Sequence, residues 1–329
     1  MDFTPTEEQE AVRGLAHQLL TTATHPGLGV AGFDADLWAK LAGAGVLGLS
    51  RDLPLAVAAV LAEETGKAAG RVPVVPVLAA LPALQDQALV DAVLAGDRIV
   101  VPALQADGWR GGVTASEGRL TGTQVAVAWA SEATHAVVGA GPDLYLVDLG
   151  AEGVTRTAEE VSSHEPAATL GFDNAPAVLL DEKATTALQR LTLLTCSYAV
   201  GVAETSMLMA ARHVSTREQF GKPLAAFQAI SYQVADCYID VECMRLTTAQ
   251  AVWRVDECRD AAEETAIAAF WGADGIQRVT SKAVHLHGGL GVDVSYPLHK
   301  WFLLGKVLEL SLGGAQRTLE HLGELLAAR

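Results

Sequence analysis

Two stretches in the second half of the sequence bring together residues that could bind a phosphorylated ligand. One is STREQFGKPLAAFQ, residues 215–228, and the other is AVHLHGGLGVDVSYPLHKW, residues 283–301. The first offers a guanidinium, an aromatic ring and an amide. The second offers glycine-rich backbone whose N–H groups can approach a phosphate or a ribose closely. Each stretch taken alone also fits an ordinary turn at a helix end.

The histidines of the second stretch do not form a convincing metal-binding pattern. His285 and His287 are two residues apart at a helix end, so their side chains leave the helix on different sides and do not converge with His299. No cysteine or carboxylate pattern accompanies them. The run HGGLG lacks the lysine and the serine or threonine of a P-loop, and it follows a helix instead of a strand. We therefore predict no metal site and no nucleoside triphosphate site.

Long helices must position both stretches. Gly221 and Pro223 interrupt a helical pattern, which places Arg217 and Phe220 at the end of one helix and Gln228 about one turn into the next. The second of these helices carries an apolar stripe at steps of three and four residues, as a bundle helix does. The members of this stripe are Ile230, Val234, Tyr238, Val241 and Met244.

The residue pattern changes twice along the sequence, from helical to β-rich and back to helical, and so predicts three domains. Residues 1–96 show helical periodicity, with Thr6 as the N-cap of the first helix. Residues 97–183 consist of short β-rich runs separated by Gly, Asp and Pro turn signals. Residues 184–329 return to long helices. We predict an α+β fold with an N-terminal helical domain, a small antiparallel β-domain and a C-terminal four-helix bundle.

Composition and charge exclude several classes of protein. The chain has 329 residues, half of them apolar, and a net charge of −16 without a cluster of Lys and Arg, which argues against nucleic-acid binding. Its four cysteines form no C-x-x-C pair, as expected of reduced thiols. The N-terminus is acidic, unlike a signal peptide, and no apolar stretch approaches membrane-spanning length. We expect a soluble, cytoplasmic protein with neither a membrane nor a nucleic-acid partner.

Five landmarks in the correct order resemble the acyl-CoA dehydrogenase family over nearly the whole chain. MDFTPTEEQEAVR resembles its opening helix, and LWAKLAGAGVLGL and AAVLAEETGKAAG resemble the next two helical landmarks. GRLTGTQVAVAWASEATHAVV is similar to a hairpin of its β-domain. The two C-terminal stretches described above are similar to its two C-terminal signatures. The family fold has the same α, β, α order that the sequence texture predicts.

This resemblance implies an FAD cofactor and an acyl-CoA substrate. In the family, FAD commonly lies between two subunits, and the C-terminal helices of one subunit hold its ADP portion. The positions of this chain that match the ADP-binding positions are Arg217, Phe220, Gly221, Gln228, Gly288, Gly289 and Gly291, with His285 where a glutamine is usual. A histidine can still donate a hydrogen bond to a phosphate or a ribose.

The sequence departs from the family at the flavin ring and at the catalytic base. The run VPALQADGWRGG keeps neither of the two motifs that the family carries at its first β-strand. The usual catalytic glutamate corresponds to Leu312, and its alternative location in the family lies near Leu191. Proton abstraction requires a carboxylate, and neither position supplies one. We therefore predict no catalytic residue in this chain.

The resemblance is most specific to the shorter, non-catalytic subunit of α2β2 acyl-CoA dehydrogenases from actinobacterial steroid degradation. It implies a second dehydrogenase-like chain that supplies the glutamate, a steroid side-chain CoA substrate of cholesterol catabolism and, by family habit, an electron-transfer flavoprotein. Two alternatives stay open. One is a self-sufficient homo-oligomer that uses Glu309 or Glu204 as its base, and the other is a degenerate scaffold or regulatory subunit.

Overall fold

The structure is a computed structural model that describes residues 3–21, 32–104 and 111–328. Helices come first, strands follow and long helices close the chain, as predicted. The helices are α1 (Glu7–Thr21), α2 (Ala35–Gly43), α3 (Leu49–Asp52), α4 (Leu55–Ala68), α5 (Val74–Ala80), α6 (Gln87–Leu94), α7 (Ala184–Thr216), α8 (Gln228–Asp256), α9 (Ala262–His287), α10 (Leu298–Ser311) and α11 (Gly314–Ala327). The strands are β1 (Val100–Ala103), β2 (Gly111–Ser116), β3 (Arg119–Ala128), β4 (His135–Ala140), β5 (Asp143–Asp148), β6 (Val154–Glu159), β7 (Ala167–Pro176), β8 (Val178–Lys183), β9 (Glu218–Gln219) and β10 (Lys222–Pro223).

Packing groups these elements into two compact units. Among the described residues, the first unit contains those within 1–28, 59–70 and 195–329, and the second contains those within 29–58 and 71–194. The three domains expected from the sequence, 1–96, 97–183 and 184–329, are a different division of the chain and stay a prediction.

The second unit contains two four-stranded sheets. One has the strand order β1-β4-β5-β8 and the other β2-β3-β7-β6. The pairings are antiparallel except that β1 runs parallel to β4. Strand β3 buries Leu120, Gln124 and Val127 and leaves the residues between them exposed or half-buried. Strand β4 buries three successive residues, 136–138, so its middle is covered on both faces, because successive side chains of a strand point to opposite faces. The sheets confirm the small β-rich unit that the sequence predicts.

In the first unit, α9 packs against α8, α10 and α11. Glycines allow the close approach: a Cβ atom at Gly275 would lie 2.6 Å from the sulfur of Met244, and one at Gly305 would lie 2.9 Å from a methyl carbon of Thr280. The expected stripe of α8 is wrong at Tyr238, whose side chain is 57% exposed. The neighbouring Cys237 is buried in its place, while Val241 and Met244 are buried as predicted.

The N-terminal part of the first unit meets α7 backbone to backbone. A Cβ atom at Gly66 of α4 would lie 2.2 Å from the carbonyl oxygen of Tyr198, and one at Gly201 of α7 would lie 2.0 Å from the carbonyl oxygen of Glu63. Such distances are far inside van der Waals contact, so both positions require glycine. These glycines explain how α4 and α7 cross without side chains between them.

The expectation that no apolar stretch approaches membrane-spanning length is wrong for α7. This helix has 33 residues and is apolar enough, by length and composition, to cross a membrane. In the structure, 72% of its most apolar window is buried inside the protein. Burial on several faces gives a core helix the same apolar composition that lipid contact would require. All four cysteines are free thiols, as predicted, and two of them, Cys196 and Cys237, are buried.

Candidate functional site

The first candidate stretch forms a hairpin directly after α7, which we call the Arg217 turn (residues 217–227). The N–H of Arg217 donates to the carbonyl of His213 at 2.8 Å and so closes the helix end, as predicted. Strands β9 and β10 then pair across Phe220 and Gly221, whose φ angles are +55° and +76°. Two successive positive φ angles match a type I′ hairpin turn. The sequence did not reveal this hairpin, because a phenylalanine is an unusual residue at a positive φ.

The Arg217 turn presents its functional groups to solvent. Phe220 is 91% exposed although its backbone conformation is strained for a bulky residue, a combination that is concentrated at functional sites. Its ring meets Phe227 edge to face at 6.2 Å, and the Nζ of Lys222 lies 4.2 Å above the Phe227 ring. The guanidinium of Arg217 is exposed, and within residues 3–21, 32–104 and 111–328 no carboxylate pairs with it. An exposed, unpaired guanidinium is available for an anion.

Gln228 lies one turn earlier in its helix than predicted. A short 3-10 turn over Leu224–Ala226 precedes it, so Gln228 is the first residue of α8 instead of lying one turn inside. Its Nε2 donates to the hydroxyl of Tyr232 one turn later. The residue is exposed to solvent. Gln228 therefore stays at the same edge of the protein as the hairpin.

The second stretch closes α9 with a glycine turn, the Gly288 turn (residues 288–292). Gly288 has φ +59° and ψ −138°, a conformation that side chains disfavour, and both Gly288 and Gly289 are exposed with open space at the Cβ position. Gly291 is buried, since a Cβ atom there would lie 2.5 Å from the carbonyl oxygen of Val284. The turn thus folds back on the last turn of α9 and leaves its first two glycines accessible.

The structure brings the two turns together. An apolar cluster of Ala210, Val214, Ala283, Leu286 and Leu298 lies beneath both, and Leu224 and Tyr296 pack against it. Of the two histidines before the Gly288 turn, His285 is exposed and His287 is buried, which confirms that they leave the helix on different sides. Sequence reasoning missed His213 and Tyr296, which contact His287. His213 lies four residues before Arg217, and Tyr296 lies eight residues after Gly288. These positions in the sequence do not indicate that both side chains contact His287.

Neither expected base position offers a carboxylate. Leu312 is 8% exposed, and its methyl carbon lies 2.9 Å from where a Cβ atom of Gly272 would be, next to the sulfur of Cys196. Burial raises the pKa of the Cys196 thiol to about 12, which marks these surroundings as apolar. Leu191 is half-buried in α7 and is likewise not acidic. The position expected for the catalytic glutamate is therefore occupied by a leucine side chain that packs in the protein interior.

The two substitute bases are engaged in ion pairs. Glu204 accepts from Arg245 at 3.0 Å and lies 3.1 Å from Lys67. Burial alone would raise the pKa of Glu204, but Lys67 and Arg245 outweigh it and hold that pKa below its ordinary value. Glu309 pairs with Lys306 at 3.0 Å. A carboxylate held ionised by two cations is a weak proton acceptor, so Glu204 is poorly suited to abstract a proton.

Comparisons with known proteins agree with this geometry. A profile described as the acyl-CoA dehydrogenase C-terminal domain matches residues 182–326. Acyl-CoA dehydrogenase FadE27 of Mycobacterium tuberculosis is 33% identical, with 99% of this chain and 99% of the relative covered. The chain belongs to the acyl-CoA dehydrogenase family. It is thus assigned to the oxidoreductases, and the residues above belong to a dehydrogenase fold.

Solved structures extend the likeness of this dehydrogenase over its full length. The ChsE4–ChsE5 complex from Mycobacterium tuberculosis matches with a TM-score of 0.90 and 31% identity over 100% of both chains. A variant of the Tcur3481–Tcur3483 steroid ACAD matches with a TM-score of 0.89 and 33% identity over 98% of both chains. Butyryl-CoA dehydrogenase from Megasphaera elsdenii, at 21% identity and a TM-score of 0.83, shows the common fold. Each of the first two structures bears the names of two proteins, ChsE4 with ChsE5 and Tcur3481 with Tcur3483.

The residues of the two turns fit the ADP portion of FAD, the cofactor on which members of this family generally depend. An exposed guanidinium suits a pyrophosphate, and glycines with open space at Cβ let a ligand approach backbone N–H groups. Residues 105–110 of the run VPALQADGWRGG, where the family motifs were missing, lie outside the described residues.

Proposed function

We propose that this chain is the non-catalytic subunit of a heteromeric, FAD-dependent acyl-CoA dehydrogenase. In this proposal it contributes the surface that binds the ADP portion of FAD, and a second dehydrogenase-like chain contributes the catalytic glutamate. The likeness to two structures that are each named for a pair of chains supports a heteromer. The steroid ACAD among them supports a steroid side-chain CoA as the substrate, within cholesterol or related steroid catabolism.

One contrast within the chain carries the proposal. The side chain at the usual base position is Leu312, packed against Gly272, so the family chemistry lacks its proton acceptor. The Arg217 turn and the Gly288 turn nevertheless keep the arginine, the phenylalanine and the glycines that the family resemblance matches, and both turns lie over one apolar cluster. All of these residues except Gly291 are exposed. A scaffold without cofactor contact would have no physical need for an unpaired arginine beside a strained, exposed phenylalanine.

Each group has a role in holding the cofactor. Arg217 would neutralise the pyrophosphate through charge-assisted hydrogen bonds, and the N–H groups of Gly288 and Gly289 would approach phosphate or ribose oxygens. Phe220 would cover an apolar face of the ligand, while Gln228 and His285 would supply polar contacts at the rim. When bound, FAD accepts the hydride from the β carbon of the acyl chain. The partner's carboxylate would take the α proton, and an electron-transfer flavoprotein in the cytoplasm would reoxidise the flavin.

The test is Arg217→Ala in the complex assembled with its partner chain. Removing a charge-assisted contact should cost about 1.5–3 kcal/mol, or roughly a ten- to a hundredfold loss of FAD affinity. Assembly should persist because Arg217 is exposed. Flavin content and turnover should fall together, and added FAD should partly restore both. Arg217→Lys should rescue incompletely, since an ammonium lacks the planar fork.

Arg212→Ala is the matched control, because Arg212 is an exposed arginine near the end of α7, five residues before Arg217. It should leave flavin content and turnover unchanged. Equal flavin affinity in the Arg217→Ala and wild-type complexes would show that the Arg217 turn is an ordinary helix connection and that the proposed function is wrong.

A further inference from the structure

A pair of stacked imidazole rings joins the two turns. His213 lies in the last turn of α7 and His287 is the last residue of α9, and their ring centroids are 4.4 Å apart with an angle of 24° between the planes. The carbonyl of His213 accepts the N–H of Arg217, and His287 directly precedes Gly288. The stack therefore joins the two helix ends from which the Arg217 turn and the Gly288 turn begin.

Two hydrogen bonds fix the ring of His287. Its Nδ1 lies 2.7 Å from the carbonyl oxygen of Ala283, and because a carbonyl can only accept, Nδ1 must carry the hydrogen. Nε2 of the neutral ring is then an acceptor. The hydroxyl of Tyr296, 3.2 Å away, donates to it. His287 is only 5% exposed, so its ring is held on both edges inside the protein.

The surroundings keep both rings neutral. Burial, His287 and the Arg217 guanidinium all lower the pKa of His213. Burial also lowers the pKa of His287 and outweighs the hydrogen bond to Ala283. The hydroxyl of Tyr296 contacts His287, and Tyr296 itself packs against the apolar cluster beneath the two turns. A protonated Nε2 would donate to the hydroxyl oxygen of Tyr296 instead of accepting from it, so burial, and not this contact, is what favours the neutral ring.

The Gly288 turn depends on the position of His287. A Cβ atom on Gly291 would lie 3.1 Å from Cβ of His287, so the returning backbone packs directly on this residue. Tyr296 follows the turn and is tied back to His287 through its hydroxyl. A shift of the His287 ring would therefore move both ends of the turn relative to α7.

We propose that His287 is a positioning residue of the cofactor surface. Through its stack on His213 and its hydrogen bond from Tyr296, it holds the Arg217 turn and the Gly288 turn at the fixed spacing that the ADP portion of FAD requires. This inference rests on the proposed function and deepens it. His287 itself is buried and does not contact the ligand; it acts through the residues on either side of it.

The test is a series of variants in the complex assembled with the partner chain, read out by FAD titration. His287→Ala removes the stack and both hydrogen bonds and should weaken FAD binding by about tenfold or more, as expected when several such contacts are lost. His287→Phe keeps a ring for the stack and should lose less. Tyr296→Phe deletes one oxygen and should weaken binding by roughly two- to fivefold. It keeps the test informative if His287→Ala does not fold. The control is His321→Ala, at an exposed histidine of α11, which should bind FAD like the wild type.

A second measurement is independent of the flavin. Hydrogen exchange of the flavin-free chain should be faster over residues 288–296 in His287→Ala and Tyr296→Phe, and unchanged there in Arg217→Ala. If Arg217→Ala leaves FAD affinity unchanged, the proposed function fails. If Arg217→Ala weakens FAD binding while His287→Ala and Tyr296→Phe match the wild type in both measurements, the positioning role alone is overturned. Faster exchange together with weaker binding in the His287 and Tyr296 variants supports it.

Discussion

Leu312 occupies the position at which the family resemblance places a catalytic glutamate. The residues around its side chain form an apolar, packed environment. Its side chain meets Gly272 and lies next to Cys196, whose thiol pKa is raised to about 12 by burial. The loss of the carboxylate is thus built into the packing of the first unit. Restoring the acidic residue would place a charge in a site that no longer solvates one.

We therefore predict that Leu312→Glu destabilises the chain without creating activity. A buried, unpaired carboxylate should lower the free energy of unfolding by about 3–5 kcal/mol or become protonated instead. Leu310→Glu is the control, because Leu310 lies two residues away in α10 and is 57% exposed; it should change stability little. Urea denaturation of both variants and a turnover assay of the lone chain are the measurements. Substrate-dependent flavin reduction by the lone Leu312→Glu chain would contradict the prediction.

The stacked histidines predict a pH dependence of stability. Because the folded pKa values of His213 and His287 lie below the ordinary value of 6.5, the unfolded chain binds more protons once the pH falls below that value. The free energy of unfolding should therefore decrease as the pH falls from 7 to 5. His213→Phe retains a ring but removes one titrating group, so its stability should decrease less. Denaturant unfolding at pH 7, 6 and 5 tests this, and parallel pH profiles would refute it.

At the scale of the element, the crossing of α4 and α7 depends on two glycines. The Cβ positions of Gly66 and Gly201 lie within 2.2 Å and 2.0 Å of carbonyl oxygens on the opposite helix. Backbone atoms cannot rotate away as a side chain can, so any substitution must separate the helices. The ion pairs of Lys67 and Arg245 with Glu63 and Glu204 lie next to this crossing and would be strained by the same movement.

We predict that Gly201→Ala lowers the free energy of unfolding by at least about 1–3 kcal/mol, the usual cost of overpacking. Gly323→Ala is the matched control, since Gly323 is also a helical glycine but has nothing within 4 Å of its Cβ position. The control should be neutral or stabilising by roughly 0.5–1 kcal/mol, because alanine favours a helix over glycine. Thermal and urea unfolding of the two variants compare them directly. Equal free energies of unfolding in the two variants would mean that α4 and α7 can move apart without loss of stability, which would contradict the prediction.

At the scale of the whole molecule, the proposed function makes flavin binding a property of the assembly. In that proposal the two exposed turns bind the ADP portion, and a second chain supplies the flavin-ring site and the catalytic glutamate. Ligands that bind only the assembled state stabilise it by mass action. The stability of this chain should therefore depend on its partner and on FAD together.

We predict that the chain expressed alone purifies without stoichiometric FAD and is inactive, and that co-expression with its partner yields a yellow, active complex. Absorbance at the flavin band, normalised to protein, and the mass of the complex are the measurements. The thermal midpoint of the complex should rise with added FAD, whereas that of the lone chain should not. A yellow and active preparation of the single chain would show that it is self-sufficient.

Local chemistry alone predicted several features correctly. Thr6 caps α1 through its hydroxyl, which accepts the N–H of Gln9, and α9 ends where the glycines begin at Gly288. The order of helices, strands and helices also follows from residue pattern, because periodicity and turn residues act over a few positions. Gly221 and Pro223 likewise predicted that Arg217 lies at a helix end, and α7 does end directly before it.

Tertiary packing decided the features that depend on residues distant in the chain. Tyr238 fits the helical stripe of α8 but faces solvent, whereas Cys237 and Asp240 beside it are buried, and Asp240 pairs with Arg278 of α9. His213 and His287 are 74 residues apart in the sequence (287 − 213). No local sequence pattern predicts that their rings stack. The sequence by itself determined which groups this protein offers a ligand. Only the fold determined that they share one surface, since burial and contact are set by the free energy of the whole packed unit.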